Sequence, residues 1–334
     1  MSVSPAHIET LQAFGYTPQE AHFLYFVAAH SGYFMARQFL AFTGAPRGKR
    51  TTQFWMKLQA NKHARTERFP KHGVVHHVFA CKLYRRLGRE NLRNRREHEW
   101  QYVQRRLAML DFVLSHLHLD YLETESEKRD YFEQTRGIPS HHFPSKTYHR
   151  QPTSQPTVRY FVDRFPMYVD GSCSPAVVAF SYIQPAEAVL SEFVRHLKAY
   201  LPLFRKLSEF RFLYLARTDS HFHKARELFD SFVTIPLGSN PVDDLLRYFA
   251  VRKAWDNRLY SLLTEVDLIF RNQAKQRFGA TRFEHMYRGW KAGRIADAQV
   301  REEFQNSGTL HTVQFESQLL KAVGVDRCES EEDQ

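Results

Sequence analysis

Apolar residues recur at helical spacing through the first sixty positions, and typical capping residues bound them. In "GYTPQEAHFLYFVAAHSG", Thr17 is a suitable N-cap, Pro18 suits the first helical position, and Glu20 completes a capping box. This pattern predicts a helix that ends at Gly32. The next stretch, "FMARQFLAFTG", predicts a second and shorter helix that ends at Gly44.

A third helix is predicted over residues 48 to 63. Phe54, Trp55 and Leu58 gather on one side of a helical wheel, so we expect that side to be buried. The opposite side is polar, and it becomes basic toward the N-terminus. Its residues are Lys49, Thr52, Gln53, Met56 and Ala60, and the residues that flank the buried stripe are Arg50 and Lys57.

Two alternating runs, "ARTERF" and "VVHHVFA", follow this helix and are typical of β-strands. The sequence "PKHG" between them favours a turn, because proline suits an early turn position and glycine a left-handed one. We therefore predict a β-hairpin. Its basic residues and histidine near the turn are Arg65, Arg68, Lys71 and His72.

Positive charge is concentrated around these elements. The chain of 334 residues has a net charge of +11, and residues 47 to 106 contain 17 Lys and Arg but only four Asp and Glu. A surface with this charge attracts polyanions such as nucleic acid. Both the charge and the order of the predicted elements therefore make residues 47 to 106 the candidate binding segment.

Three helices followed by a basic β-hairpin resemble the winged helix-turn-helix family, over about residues 8 to 88. The resemblance implies a partner, double-stranded DNA, with the third helix in the major groove and the hairpin as a wing. The implied DNA-binding residues are Lys49, Arg50, Thr52, Gln53 and Lys57 on the helix and Arg65, Arg68, Lys71 and His72 on the wing. Two alternatives stay open, a merely solvated basic face and a winged helix that binds an acidic protein.

A connector helix is predicted within residues 91 to 120, where apolar residues repeat at spacings of three and four. The repeat has two interpretations. The helix either packs against its own second domain or forms the seam of a homodimer. The residues of the repeat are Trp100, Val103, Leu107, Leu110, Leu114 and Leu117.

Residues 121 to 236 predict an α/β domain with the order α-β-β-β-α-β-α, and its first helix has a capping box at Thr124 and Glu127. This order resembles the restriction-endonuclease-like fold, and the whole chain is similar to the replication-relaxation family of plasmid and mobile-element proteins. The strand "AVVAFSYI" has neither the acid nor the lysine that a metal-dependent nuclease needs. We therefore expect a catalytically silent domain. A rearranged nuclease site using Asp163, Asp170 and Lys146 is the alternative.

The overall fold class expected is α+β, with a helical C-terminal region. We predict that this region is a helix hairpin or bundle that covers the sheet. Its mostly apolar stripe consists of Leu245, Phe249, Arg252, Leu259, Leu262, Val266 and Ile269. The predicted domains are a winged helix (1–90), a connector (91–120), an α/β domain (121–236), a helical region (237–326) and a disordered acidic tail (327–334).

Other chemistry finds little support in the sequence. The three cysteines lack CxxC spacing, and the paired histidines lack a zinc-binding pattern, so we predict neither a metal nor another cofactor. No signal peptide or membrane-length apolar run is found, which favours a cytoplasmic location. The leading hypothesis is a non-enzymatic DNA-binding protein, either a transcription regulator or a factor in plasmid or mobile-element replication or mobilisation.

Overall fold

The α+β class expected from the sequence is confirmed by the computed structural model. Helices predominate, and the strands form three separate sheets. The structure describes residues 3–46, 48–69, 73–90, 92–149, 156–171, 176–185, 189–207, 209–233, 241–279, 281–306 and 312–324.

The N-terminal unit contains the three helices and the hairpin that the sequence predicts, together with an additional first helix and a short strand. In chain order its elements are α1 (Pro5–Gln12), α2 (Pro18–Phe26), β1 (Tyr33–Met35), α3 (Ala36–Thr43), α4 (Lys49–Ala60), β2 (Ala64–Phe69) and β3 (Gly73–Val78).

Local sequence signals set both ends of the α2 segment. The capping box is present, with the Glu20 backbone N–H donating to Thr17 Oγ1 and the Thr17 backbone N–H donating to the Glu20 carboxylate. The helix continues as a π-helical turn over Val27–Ser31 and ends at Gly32, which has a φ of 83°. A side chain at Gly32 would collide with the backbone of Asn94, so this position requires glycine.

The strand β1 was not predicted. It pairs antiparallel with β3, placing Tyr33 opposite His77 and giving the sheet order β1-β3-β2. Three residues are too few for an alternating pattern to be visible, and the partner strand lies forty residues further along the chain. Only the folded context makes this segment a strand.

Aromatic packing fixes the orientation of α4. Phe54 is fully buried and stacks on Phe39 of α3, with 4.2 Å between ring centroids. Trp55 stacks on His76 of β3 at 4.4 Å. The predicted buried side is confirmed, and the polar side of α4 therefore faces solvent.

The hairpin is followed by α5 (Cys81–Arg86), by α6 (Trp100–Ser115) within the predicted connector, and by the short strand β4 (Asp120–Tyr121). Along α6 the residues Val103, Leu107, Leu110 and Leu114 are at most 9% exposed. The predicted seam thus packs inside its own chain. Val103 and Leu107 contact Tyr33 and Val75 of the N-terminal unit, so the seam does not pack only against the second domain, as the first interpretation expected. It is not available as a dimer seam, because residues 106 to 114 are all buried.

The remaining elements build a five-stranded sheet, a separate hairpin and a helical bundle. They are α7 (Glu125–Asp130), β5 (Ser145–Tyr148), β6 (Thr157–Tyr160), β7 (Met167–Asp170), β8 (Val177–Ile183), α8 (Leu190–Phe204), β9 (Glu209–Ala216), α9 (Phe222–Val233), α10 (Pro241–Asp256), α11 (Glu265–Arg277), α12 (Thr281–Lys291), α13 (Asp297–Asn306) and β10 (Thr312–Leu319).

The large sheet has the order β10-β9-β8-β7-β4. Strands β8, β9 and β10 are parallel, whereas β7 and β4 are antiparallel to their neighbours. Every residue of β8 is buried, as is expected for a central strand covered on both faces. The expected order is corrected here by one strand, because four strands rather than three lie between α7 and α8, and two of them, β5 and β6, form their own hairpin.

The sheet also crosses the expected domain boundaries. Strand β4 comes from the connector, and β10 comes from the C-terminal region that was predicted to be purely helical. One continuous buried cluster extends from Ile8 to Leu320 and includes residues of the N-terminal unit, α6 and the sheet. The N-terminal unit and the α/β part therefore share a core.

Helices α10 to α13 have a second core of their own, which includes Leu245 and Phe249. The rest of the predicted apolar stripe does not cover the sheet. Its apolar members Leu259, Leu262, Val266 and Ile269 are 47 to 68% exposed, and Arg252 pairs with Glu284. The prediction was a helix hairpin or bundle that covers the sheet. The chain does turn after Asp256 and begins α11 at Glu265, but these helices pack around a core of their own.

A buried carboxylate connects the N-terminal unit to the sheet. Asp111 of α6 has no exposed surface, and it accepts hydrogen bonds from Arg37 at 2.7 Å, Gln38 at 2.8 Å and Arg217 at 2.7 Å. Arg37 and Gln38 belong to α3, and Arg217 follows β9. The two arginines also donate to backbone carbonyls in the segment after β10.

We predict that Asp111→Ala lowers the free energy of unfolding by about 3 kcal/mol, because it takes the carboxylate acceptor away from two arginines and an amide at a buried position. Urea denaturation measures this loss. Asp230→Ala is the matched control, since the Arg226–Asp230 pair is about half exposed and should contribute less than about 1 kcal/mol. Equal effects of the two substitutions would contradict the role given to Asp111.

Candidate nucleic-acid interface

The outward face of α4 presents the residues that the sequence predicted there. Lys49, Thr52, Gln53, Met56 and Ala60 are all exposed, with Met56 62% exposed. They are held outward because Phe54 and Leu58 on the opposite side are buried in the aromatic core. The face is therefore a firmly supported surface.

The N-terminal end of this face is positively charged. Lys49 and Arg50 are exposed, the first turn of α4 has no acidic residue, and neither cation has an ion pair with any described residue. The free backbone N–H groups of the first turn add to the positive potential. This end of α4 can approach an anion without first breaking an ion pair within the described parts of the chain.

Lys57 is placed differently from the other predicted residues of α4. Its ammonium nitrogen lies 2.7 Å from the Glu20 carboxylate, which also caps α2. Both members of the ion pair line a groove of about 500 Å³ between α2, α3 and α4, which Arg50 and Gln53 also line. A phosphate contact at Lys57 would have to compete with Glu20.

The predicted basic residues of the hairpin also differ in whether a carboxylate already pairs with them. Arg65 lies 2.7 Å from Glu67 and 3.0 Å from Glu97, so carboxylates already hold its guanidinium. Arg68 is exposed. The two other predicted wing residues, Lys71 and His72, lie outside the described residues. Arg68 is thus the described wing residue best placed to contact a ligand.

Three buried histidines support the interface from behind. His76 stacks on Trp55, His77 stacks on Tyr33 with 4.1 Å between ring centroids, and His63 Nδ1 lies 2.9 Å from the Tyr16 hydroxyl. Burial lowers the pKa of each to about 4. They are neutral at physiological pH, and they hold α4 and the hairpin in place.

The residues of the nuclease alternative do not converge. Asp163 and Lys146 line one cavity of about 320 Å³, but Asp170 lies elsewhere and pairs with Arg211 at 3.0 Å. Across the described ranges, no group of three or more His, Cys, Asp or Glu side chains could hold a metal ion. The alternative of a rearranged nuclease site is therefore corrected, because its three residues are not brought together.

Asp163 instead belongs to a cluster that sequence reasoning missed. Its carboxylate lies 2.7 Å from His196 Nδ1 and accepts a hydrogen bond from the Tyr200 hydroxyl at 2.9 Å. These contacts keep the pKa of Asp163 below its usual value despite desolvation. No spacing signal could have revealed the cluster, since a loop and α8 bring its members together across more than thirty residues.

We predict that acid destabilises the packing of the buried histidines behind α4 and the hairpin. The pKa of His76 is about 4 in the folded protein and 6.5 as an ordinary value, so the unfolded chain binds more protons between these limits. Its stabilising contribution is complete above pH 6.5 and is lost as the pH falls toward 4. Urea denaturation of the wild type and of His76→Phe should show a difference in unfolding free energy that changes by about 2 kcal/mol from pH 7 to pH 4.5, in favour of the variant at the lower pH. A difference that is constant with pH would contradict this prediction.

Comparisons with protein-family models, with curated proteins and with solved structures find no match for this chain. In the described part of the chain, no helix has the length and apolar character needed to cross a membrane. The winged helix-turn-helix expectation thus stays a prediction from element order and charge placement, and the chemistry of the α4 face is the guide to function.

Proposed function

We propose that this protein binds double-stranded DNA through its N-terminal unit, with α4 as the helix that enters the major groove. The observation that carries the proposal is the outward face of α4, where Lys49, Arg50, Thr52 and Gln53 are exposed on a helix anchored by Phe54. Helix α4 has 12 residues and is therefore about 18 Å long. The major groove of DNA is wide enough to admit an α-helix.

The two kinds of side chain on this face have different roles in the proposal. Lys49 and Arg50 contact phosphates and supply affinity that does not depend on sequence. Thr52 and Gln53 read base edges, because glutamine can form two hydrogen bonds with adenine and threonine can reach either base type. Met56 lies further along the face and can contact the methyl group of thymine.

The hairpin extends the contact to the DNA backbone or the minor groove in this proposal. Among the described hairpin residues, Arg68 is the cation that contacts DNA. Arg65 is paired with Glu67 and Glu97 and positions the hairpin. A wing that adds phosphate contacts increases affinity and fixes the orientation of α4. Lys57 has the same supporting role through Glu20.

The biological setting proposed is the control of transcription, or of plasmid or mobile-element replication or mobilisation, in the cytoplasm. The sheet and the helical bundle serve as a scaffold without a catalytic step. The separation of Asp163 and Lys146 from Asp170 supports this part of the proposal. The proposal includes no dimer through α6, because its apolar residues are buried within the chain.

We predict that Lys49→Ala, Arg50→Ala and Arg68→Ala each reduce the slope of log affinity against log salt by about one unit, since each removes one phosphate contact. Fluorescence anisotropy with random duplex DNA across a salt series measures the slope. The full-length protein is the right material, because residues 103 to 114 of α6 complete the core of the N-terminal unit.

Lys198→Ala is the matched control, because Lys198 is an exposed lysine on α8, outside the N-terminal unit. It should leave the slope unchanged. A salt slope near zero for the wild type, or equal effects at Lys49 and Lys198, would contradict the proposal. Binding to an acidic protein instead of DNA, lost in Lys49→Ala, would identify the protein-interaction alternative.

A second prediction concerns sequence reading. Gln53→Ala should remove discrimination worth about 1–3 kcal/mol at one base pair of the preferred site, while leaving the salt slope unchanged. Selection of binding sites from a random pool measures the preference at each position. If the selected sites of the variant and the wild type are identical, Gln53 does not read a base.

A further inference from the structure

A second group of basic side chains surrounds Lys128, which belongs to α7. Lys128 of α7 is only 4% exposed. Its ammonium group has one hydrogen bond, to the Phe165 carbonyl at 3.5 Å, and no carboxylate of the described residues lies within ion-pair distance. The ammonium nitrogen also lies 5.8 Å from the centroid of the Phe161 ring. A buried ammonium group with three N–H donors, one long hydrogen bond and one cation–π contact is poorly compensated.

The acids near Lys128 are engaged elsewhere. Asp163 raises the pKa of Lys128, but its carboxylate is held by His196 and Tyr200. Desolvation is the larger effect and lowers the pKa of Lys128 to about 8. The lysine therefore keeps its charge at neutral pH, and no carboxylate of the described residues contacts it directly.

Lys128 lines a cavity of about 570 Å³ between α7, the β6 strand and the segment after α5. Five cationic side chains and three carboxylates line this cavity, and Arg129, Arg159 and Arg164 are among the cations. Glu125 is paired with Arg159 at 3.4 Å, and Glu123 is paired with Arg89. The cavity thus has an excess of positive charge and a size suited to a small organic ligand.

Aromatic rings and an unusual loop complete the cavity. Tyr148 and Tyr160 are half-buried members of its wall, and rings of this kind stack on nucleobases. The loop after β6 has two non-glycine residues with left-handed backbones, Phe161 at φ 50° and Arg164 at φ 55°. Such conformations persist only where the surroundings fix them, and here they hold Arg164 at the cavity wall.

We propose that this cavity binds the phosphate of a nucleotide, with Lys128 and Arg164 as its counter-charges and Tyr148 and Tyr160 beside the base. A phosphate monoester fits better than a simple carboxylate, because planar guanidinium groups and an ammonium group together match its charge and several acceptor oxygens. The nucleotide is either free or the 5′ end of a DNA strand, since both carry the same chemistry.

The test is fluorescence-detected binding of a labelled deoxynucleoside 5′-monophosphate to the full-length protein. Lys128→Met should weaken binding at least tenfold and should not destabilise the protein, because it replaces a poorly compensated buried charge with an apolar chain of similar length. Lys198→Met, at an exposed lysine on α8, should bind as the wild type does. If Lys128→Met does not fold, Arg164→Asn serves instead, since asparagine tolerates a left-handed backbone.

Competition with oligonucleotides distinguishes the two sources. A single strand with a 5′-phosphate that competes better than its 5′-hydroxyl counterpart identifies a strand end, and competition by the mononucleotide alone identifies a free nucleotide. The double variant Lys49→Ala/Arg50→Ala should retain mononucleotide binding, so the outcome is separate from that of the DNA proposal. Absence of saturable binding by the wild type, or equal binding by folded Lys128→Met, overturns the inference.

Discussion

Asp111 is a carboxylate without exposed surface, and segments far apart in the sequence donate hydrogen bonds to it. Arg37 and Gln38 reach it from the N-terminal unit, and Arg217 reaches it from the end of a central strand. Because removal of any partner leaves a buried charge poorly satisfied, these segments have to fold together. The basic N-terminal unit is therefore held in a fixed relation to the sheet, as a shared buried core also requires.

The candidate interface depends on this arrangement and on the different roles of the two sides of α4. The inner side of α4 is anchored by Phe54 and Trp55, and the outer side presents Lys49, Arg50 and Gln53 to solvent. Neutral buried histidines behind the helix avoid the repulsion that further positive charges would add. A rigid, supported basic surface binds a polyanion with little loss of conformational entropy.

Structural features that depend only on a short stretch of sequence were predictable. The capping boxes at Thr17 and Thr124 and the two sides of α4 follow from local spacing. Features that depend on distant partners were not. The strand β10 needs β9 beside it, the burial of α6 on all sides hides its apparent seam, and Lys57 and Arg65 acquire carboxylate partners only in the folded chain. The charge list alone could not separate these paired cations from Lys49, Arg50 and Arg68.

The most direct test of the central claim is photocrosslinking from α4. A benzophenone amino acid placed at Met56, which is 62% exposed, is compared with the same group at Leu262, which is 68% exposed in the helical region. After irradiation with labelled duplex DNA, the account predicts a crosslink from position 56 and none from position 262. Crosslinks of equal yield from both positions, or none from position 56 while DNA is bound, would contradict the placement of DNA on this helix.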